Sequence, residues 1–269
     1  LLDGMIKIDN LLDQCKKLGM DSIALTDHGT MYGAIEFYKK AKERGIKPII
    51  GNEVYVALDS MLLRRPKIDD KRHHLVLLAK NATGYKNLIK LTTKSYLKGF
   101  YYKPRVDKEL LRKHSKGLIA LSACLEGEIP NLCISGKIEK AEKTALEYQD
   151  IFGKENFYLE IHDFPKLYKI KNYNPVPDMI KISKKHNIPL IATNDTHYLK
   201  PEDAEAQDIL MCVQMNKDIK DPKRLSMIGE DFSLRSPEQM IKSFQANPEA
   251  ITNTQKIADQ CSLEIELGK

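Results

Sequence analysis

Over the first 200 residues of this chain, short apolar runs alternate with stretches of helical periodicity, which limits the fold more than any other feature of the sequence. Ser22–Thr26, Ile46–Ile50, Val54–Val56, Leu75–Ala79, Leu118–Leu121, Phe157–Ile161 and Ile188–Thr193 are each a few residues long and nearly all apolar. Runs of this kind suit strands covered on both faces, not strands with one wet face. Between them, Ile8–Leu18, Ala34–Ala41, Thr83–Leu97, Lys137–Ile151 and Pro177–His186 carry apolar residues at helical spacing. Strand and helix in turn predict a parallel α/β sheet, and about seven such units favour closure into a barrel.

The expected organisation is an α/β barrel over residues 1–200 with a helical extension over 201–269. Leu58–Lys71, basic and polar with Pro66 inside it, reads as an exposed loop. In the tail, Pro201-Glu202-Asp203 starts one helix with acids in its first turn, and Asn247-Pro248-Glu249 starts the last. Ser236-Pro237-Glu238-Gln239 has the form of a capping box, with Ser236 as N-cap and Gln239 at the third helical position. This tail reads as a connector toward a further domain.

At 42% hydrophobic content over 269 residues there is material for one large core. No apolar stretch approaches the ~20 residues that a membrane span needs, so no membrane partner is expected. The opening Leu1-Leu2-Asp3-Gly4 has neither an initiator Met nor the order of a signal peptide, which reads as a chain entered part-way through. The five cysteines are scattered and form no Cys-x-x-Cys, which favours a reducing compartment, the cytoplasm. A net charge of +6 is compatible with a phosphate-bearing partner and equally with ordinary solubility.

The residues that carry chemistry fall where strands end. Ser22–Thr26 runs into Asp27-His28-Gly29, and the run to Ile50 into Gly51-Asn52-Glu53. Leu118–Leu121 leads to Ser122-Ala123-Cys124, Phe157–Ile161 to His162-Asp163, and Ile188–Thr193 to Asn194-Asp195-Thr196-His197. His73-His74 instead opens its strand. In α/β barrels the carboxyl ends of the strands converge on one face, so these groups are expected to meet. Imidazole and thiolate suit zinc, whereas carboxylates suit manganese, magnesium or iron. Such cations activate water near neutral pH and neutralise charge on a phosphate. Taken singly, each has a plainer reading: Cys124 as a small buried hydrophobe, Glu53 as a salt-bridge partner, Asp27 as a helix cap. His114 and His186 are read as solvated helix ends.

Leu25-Thr26-Asp27-His28-Gly29, Pro48-Ile49-Ile50-Gly51-Asn52-Glu53, His74–Asn81 and Ala192-Thr193-Asn194-Asp195-Thr196-His197-Tyr198 together resemble the polymerase-and-histidinol-phosphatase (PHP) domain. The variant is similar to the one carried by bacterial replicative DNA polymerases. Gly84–Leu88, Gly99–Arg105 and Gly117–Cys124 add to the resemblance, which covers nearly the whole chain in order. It implies a distorted TIM-like (β/α)7 barrel holding up to three divalent cations, zinc, manganese, iron or magnesium. It also implies Asp3, His28, Glu53, His74, Cys124, His162, Asp195 and His197 as ligands, with no catalytic residue separable from them. His74 is chosen over His73 because the family's ligand directly precedes the apolar run, and Asp27 is assigned an orienting or capping role behind the ligands. The family's first motif begins with His-x-His ahead of the acid matched by Asp3, and this sequence starts after it.

The resemblance implies metal-dependent cleavage of a phosphodiester, which in a replicase is 3′–5′ proofreading. Polymerisation needs the carboxylates of a palm domain, and none is visible, so this stretch is not expected to polymerise. Two other readings stand beside the nuclease: a barrel that only braces a polymerase and its partners, and a free-standing small-molecule phosphatase. The implied partners are primer-template DNA, through the intact polymerase, and other replicase subunits. The basic tracts Leu63–Lys67 and Lys166–Lys171 are candidates for phosphate contact or plain solvated loops.

Overall fold

The computed structural model describes residues 3–268. The elements run α1 (Ile8–Lys17), β1 (Ser22–Leu25), α2 (Ala34–Glu43), β2 (Lys47–Ala57), β3 (Arg72–Ala79), α3 (Ala82–Leu97), β4 (Phe100–Tyr101), β5 (Lys103–Val106), α4 (Lys108–His114) and β6 (Leu118–Leu121). There follow α5 (Glu128–Ile134), α6 (Ile138–Phe152), β7 (Phe157–Ile161), α7 (Pro165–Ile170), α8 (Val176–His186), β8 (Leu190–Ala192), α9 (Ala204–Met215), α10 (Pro237–Ser243) and α11 (Pro248–Gln260). The strands form one curled sheet in the order β4-β5-β2-β3-β6-β7-β8, with β1 on the same edge of β2 as β5. This is the distorted barrel with helical extension that the sequence implies. Among the described residues no strand ladder joins β8 to β1; Met5 N–H donates to the His197 carbonyl at 3.0 Å in that gap.

The sheet is mixed, which corrects the expectation of parallel strands throughout. β3 runs antiparallel to both β2 and β6, while β1–β2, β2–β5, β6–β7 and β7–β8 are parallel. Residues 58–71, which separate β2 from β3, contain no helix, whereas a parallel return usually runs through one. The reversal has a functional consequence. It brings the start of β3, where His73 and His74 stand, to the same rim as the ends of its parallel neighbours.

A second correction concerns Gly51-Asn52. The two apolar runs on either side are a single strand, β2, so Glu53 is mid-strand and not at a strand end. Gly51 makes no turn; a Cβ there would come within 2.7 Å of the Leu77 carbonyl, so the glycine serves the close approach of β3. Asn52 is buried and donates to Thr92 Oγ1 on α3 at 2.9 Å.

Strand alternation sorts the interior into two faces. Outward residues such as Ile50, Val56, Leu75, Leu77, Leu118 and Leu159 pack with Leu12, Phe37, Leu88, Leu91 and Ile182 of the helices. The inward residues Ile49, Val76, Leu78, Ile119, Leu121, Tyr158 and Ile191 form an apolar floor, joined by Ile257, Ala258 and Cys261 of the α11 region. That helix is anchored where Asn253 Nδ2 donates to the Leu190 carbonyl at 2.7 Å and Ser262 N–H to the Lys80 carbonyl at 2.7 Å. The tail is therefore packed onto the barrel as well as extending from it. The capping box at Ser236 forms as read, with reciprocal bonds between Ser236 and Gln239.

The β4–β5 hairpin was not read from the sequence because Pro104 interrupts the strand pattern. It holds the 58–71 loop against the barrel. Arg105, with no exposed surface, donates to the carbonyls of Gly99 (3.1 Å), Asp69 (2.7 Å), Met61 (2.9 Å) and Leu63 (2.8 Å). Asp107 caps α4 through Leu110 N–H at 2.9 Å and also accepts from Met61 N–H at 3.0 Å. Asp107→Ala is expected to cost about 2 kcal/mol by removing a cap and orphaning a buried loop amide. Chemical denaturation measures the loss, and faster amide exchange at Met61 and Leu110 locates it; unchanged exchange at both would contradict the assignment.

Candidate metal centre

The inner face changes from apolar floor to polar rim along each strand. On β2 the inward series Ile49, Gly51, Glu53, Tyr55 passes from floor to rim, and on β3 His74 precedes Val76 and Leu78. β1 stops at Leu25, and the chain beyond it stays beside β2: Gly29 N–H donates to the Glu53 carbonyl at 2.9 Å and Glu53 N–H to that of Asp27 at 3.1 Å. These bonds fix His28 beside Glu53. Gly29 has φ +65°, and a Cβ there would meet Pro104 at 3.0 Å and Tyr55 at 3.2 Å, so glycine locks His28 against the hairpin.

Five of the eight expected ligands meet in two groups. Asp3, His28 and His197 form one, and His28, Glu53 and His74 the other, with the ligand atoms in each group within 4.8 Å of one another. His28 Nε2 lies 3.0 Å from Asp3 Oδ2, and its Nδ1 lies 3.8 Å from Glu53 Oε2. Asp3 Oδ2 is also 3.4 Å from His197 Nε2, and Glu53 Oε1 is 2.8 Å from His74 Nδ1. His73 points elsewhere, with its Nδ1 at 3.3 Å from the Glu126 carbonyl.

Cys124 and Asp195 stand beside these groups. Burial pushes the Cys124 thiol well above its ordinary value, and the charges of Asp195 and Glu53 add to the push. Burial also raises the Asp195 carboxyl, with Glu53 repelling it and His197 opposing. Asp195 has φ 46° and Ala123, next to Cys124, φ 62°. Left-handed backbone at two non-glycine residues costs roughly 1–3 kcal/mol each and concentrates at functional sites. His162 is not in either group; its Nε2 lies 2.9 Å from Thr193 Oγ1 and 3.6 Å from Glu160 Oε1.

Asp27 departs from its expected role. Its side chain is exposed, and the N-cap of α2 is Gly33, which receives no side-chain bond. Among the described residues no hydrogen bond ties Asp27 to an imidazole. Its backbone carbonyl, accepting from Glu53, does the positioning. Glu160 and Thr193 are participants that the sequence reading missed. Glu160 is buried on the inward face of β7 and accepts from Thr193 Oγ1 at 2.5 Å. An acid inside the apolar run Phe157–Ile161 was the available signal, since a buried carboxylate needs a partner.

The tail buttresses this rim. Asn194 Nδ2 donates to the carbonyls of Asp231 (3.0 Å) and Ser233 (2.7 Å), and His197 N–H to that of Phe232 (2.9 Å). Phe232 also packs edge-on to the His197 ring, with centroids 5.7 Å apart.

The donor set fits divalent cations. His28 Nδ1 and His74 Nδ1 are buried without a hydrogen bond although both face the Glu53 carboxylate. Burial opposes charge throughout, yet the acids outweigh it on the imidazoles: Asp195 and Asp3 push His197 up to about 9, and Asp3 and Glu53 raise His28. The imidazoles in turn hold Asp3 well below the usual carboxylate range, and Glu53 below it, despite burial. Protons here do the neutralising that bound cations would do.

Comparison with known proteins gives the family. The PHP domain matches residues 1–164, more than half of the chain. Over 263 residues the chain is 46% identical to DNA polymerase III subunit alpha of Borreliella burgdorferi, covering 97% of this chain and 22% of that protein. The subunit of the same name from Helicobacter pylori is 47% identical over 279 residues, covering 99% of this chain and 22% of the relative. The chain thus spans about a fifth of the length of these curated relatives. Likeness to solved structures is looser: one from Bifidobacterium adolescentis has TM-score 0.46 and 12% identity, over 90% of this chain and 92% of that one, and it carries no weight here. With its family matched along most of the barrel, the chain belongs to the PHP domain family.

Proposed function

We propose that this chain is the metal-dependent phosphoesterase module of a bacterial replicative DNA polymerase and removes nucleotides from the 3′ end of a DNA strand. The observation that carries the reading is the sharing of His28 between two ligand groups on one rim. Divalent cations, when bound, supply charge neutralisation on a phosphoryl group and activate water near neutral pH. Asp3 and His197 would hold one with His28, and Glu53 and His74 another, and Asp195 and Cys124 would complete the set. Zinc suits the imidazoles and thiol, and manganese, iron or magnesium the carboxylates. Glu160 and Thr193 orient His162, so that its ring is fixed before anything binds.

The polymerase setting is supported by the similarity to DNA polymerase III subunit alpha along nearly the whole chain. In this reading residues 1–200 are the module and 201–269 lead toward the polymerising domains. Primer-template DNA and other replicase subunits are the partners, and the cytoplasm is the place of action. Five free cysteines suit that compartment.

The full-length protein, loaded with zinc or manganese and given no deoxynucleotides, is expected to release nucleotides from a mispaired 3′ primer end. His197→Ala should slow release by about 100-fold or more. Release from correctly loaded protein that His197→Ala leaves unchanged would contradict the reading. Retained metal with no release would favour the module as a brace for the polymerase.

A further inference from the structure

Tyr55 is the pivot of a feature that the metal site does not use. Its ring stacks on His28 (centroids 5.8 Å apart, planes 12° apart) and meets His74 edge-on at 5.3 Å. The Arg72 guanidinium lies 5.4 Å and the Lys103 ammonium 5.7 Å from the same ring. Both cations are half-buried, Arg72 donates to the Asp70 carbonyl at 2.6 Å, and among the described residues neither is paired with a carboxylate. Two unneutralised cations at the edge of a cluster of acids are poised for an anion that bridges them to the site.

A row of exposed rings continues from this point. Tyr55 pairs with Arg105 of β5, and the β4–β5 hairpin carries Phe100 and Tyr102. Tyr96, in the last turn of α3, lies 6.2 Å from Phe100, centroid to centroid. Tyr102 forms the turn between β4 and β5 with φ 58° and is 69% exposed. Exposed rings gain little from folding, and a strained turn that holds one outward costs stability. Rings beside unpaired cations are the recurrent means of holding a polynucleotide strand, with bases on the rings and phosphates on the charges.

We propose that Tyr96, Phe100 and Tyr102, with Arg72 and Lys103, form a track for an unpaired polynucleotide strand that ends at the metal centre. It rests on the phosphoesterase reading for the purpose of the strand, but not for its binding. Duplex is excluded from such a track because its bases are not free to stack. The track gives the module a preference for frayed ends that the ligand set alone does not supply.

The test is fluorescence anisotropy of end-labelled (dT)12 and (rU)12 with the chain in EDTA, where no hydrolysis intrudes, across a range of salt. Arg72→Gln with Lys103→Gln should flatten the slope of log affinity against log salt by roughly 1.4, two phosphate contacts at ~0.7 each. Tyr96→Ala or Tyr102→Ala should weaken binding by about 5- to 100-fold. Lys140→Gln with Lys143→Gln, an equal loss of charge on the exposed face of α6, should leave the slope unchanged. Tighter binding of either oligonucleotide than of a blunt duplex supports the track and identifies the sugar it takes. Binding that the track variants do not change, or that the matched pair changes as much, overturns it. So does a wild-type chain that ignores both oligonucleotides and dimerises through Tyr102, which makes the rings a protein interface. Oligonucleotide binding with no metal-dependent nucleotide release would sink the phosphoesterase reading and leave the track standing.

Discussion

Arg105→Met is expected to destabilise the chain by roughly 3–5 kcal/mol, the cost of breaking a fully buried charged network. The guanidinium satisfies four carbonyls at once, from Gly99, Met61, Leu63 and Asp69. Burial pulls its pKa down, but a guanidinium stays charged at any working pH. Methionine fills much of the volume and leaves the carbonyls to find water or stay unpaired. Lysine should recover less than half of the loss, because one ammonium cannot span the two segments that Arg105 joins. A shift of under about 1 kcal/mol in the denaturation midpoint of Arg105→Met would show that the 58–71 loop folds without this anchor.

His28→Ala should remove the response to metal altogether, because it takes a member from both ligand groups. A cation at about 1,000 times its dissociation constant stabilises a folded protein by roughly 4 kcal/mol. Zinc should therefore raise the melting temperature of the unaltered chain by several degrees over EDTA, and the variant should show almost no such rise. The rise is read within each protein, zinc against EDTA, because His28→Ala also removes the group that faces Asp3 and Glu53 when no metal is bound. His186→Ala is the control, since His186 lies at a helix end, 3.5 Å from Glu142 and remote from the rim. A His28→Ala protein that zinc still stabilises in full would place the cations somewhere else.

Strand positions and ligand types were legible because both are local. A run such as Leu118–Leu121 between turn-forming residues announces a buried strand, and His28 after Ser22–Thr26 announces a side chain at its end. The direction of β3 was not legible, since no apolar run says whether it runs parallel or antiparallel. Yet the oddity of His73-His74 at the start of a strand, when His28, Cys124, His162 and His197 each follow one, was its trace in the sequence. Glu53 shows the limit differently: the runs to Ile50 and over Val54–Val56 leave open whether one strand or two hold them, and they are one strand that β3 approaches closely at Gly51. Asp27 had a plausible side-chain role by position, but its carbonyl does the work. Glu160 was overlooked because strands were sought by what was apolar in them, and the acid inside Phe157–Ile161 went unread.

The most direct measurement is anomalous diffraction at the zinc absorption edge from crystals of this chain grown with zinc. The account predicts density among His28, Glu53 and His74, or among Asp3, His28 and His197, on the open rim above the apolar floor. An anomalous map with no peak at that rim, from crystals whose zinc scatters clearly elsewhere on the chain, would contradict it.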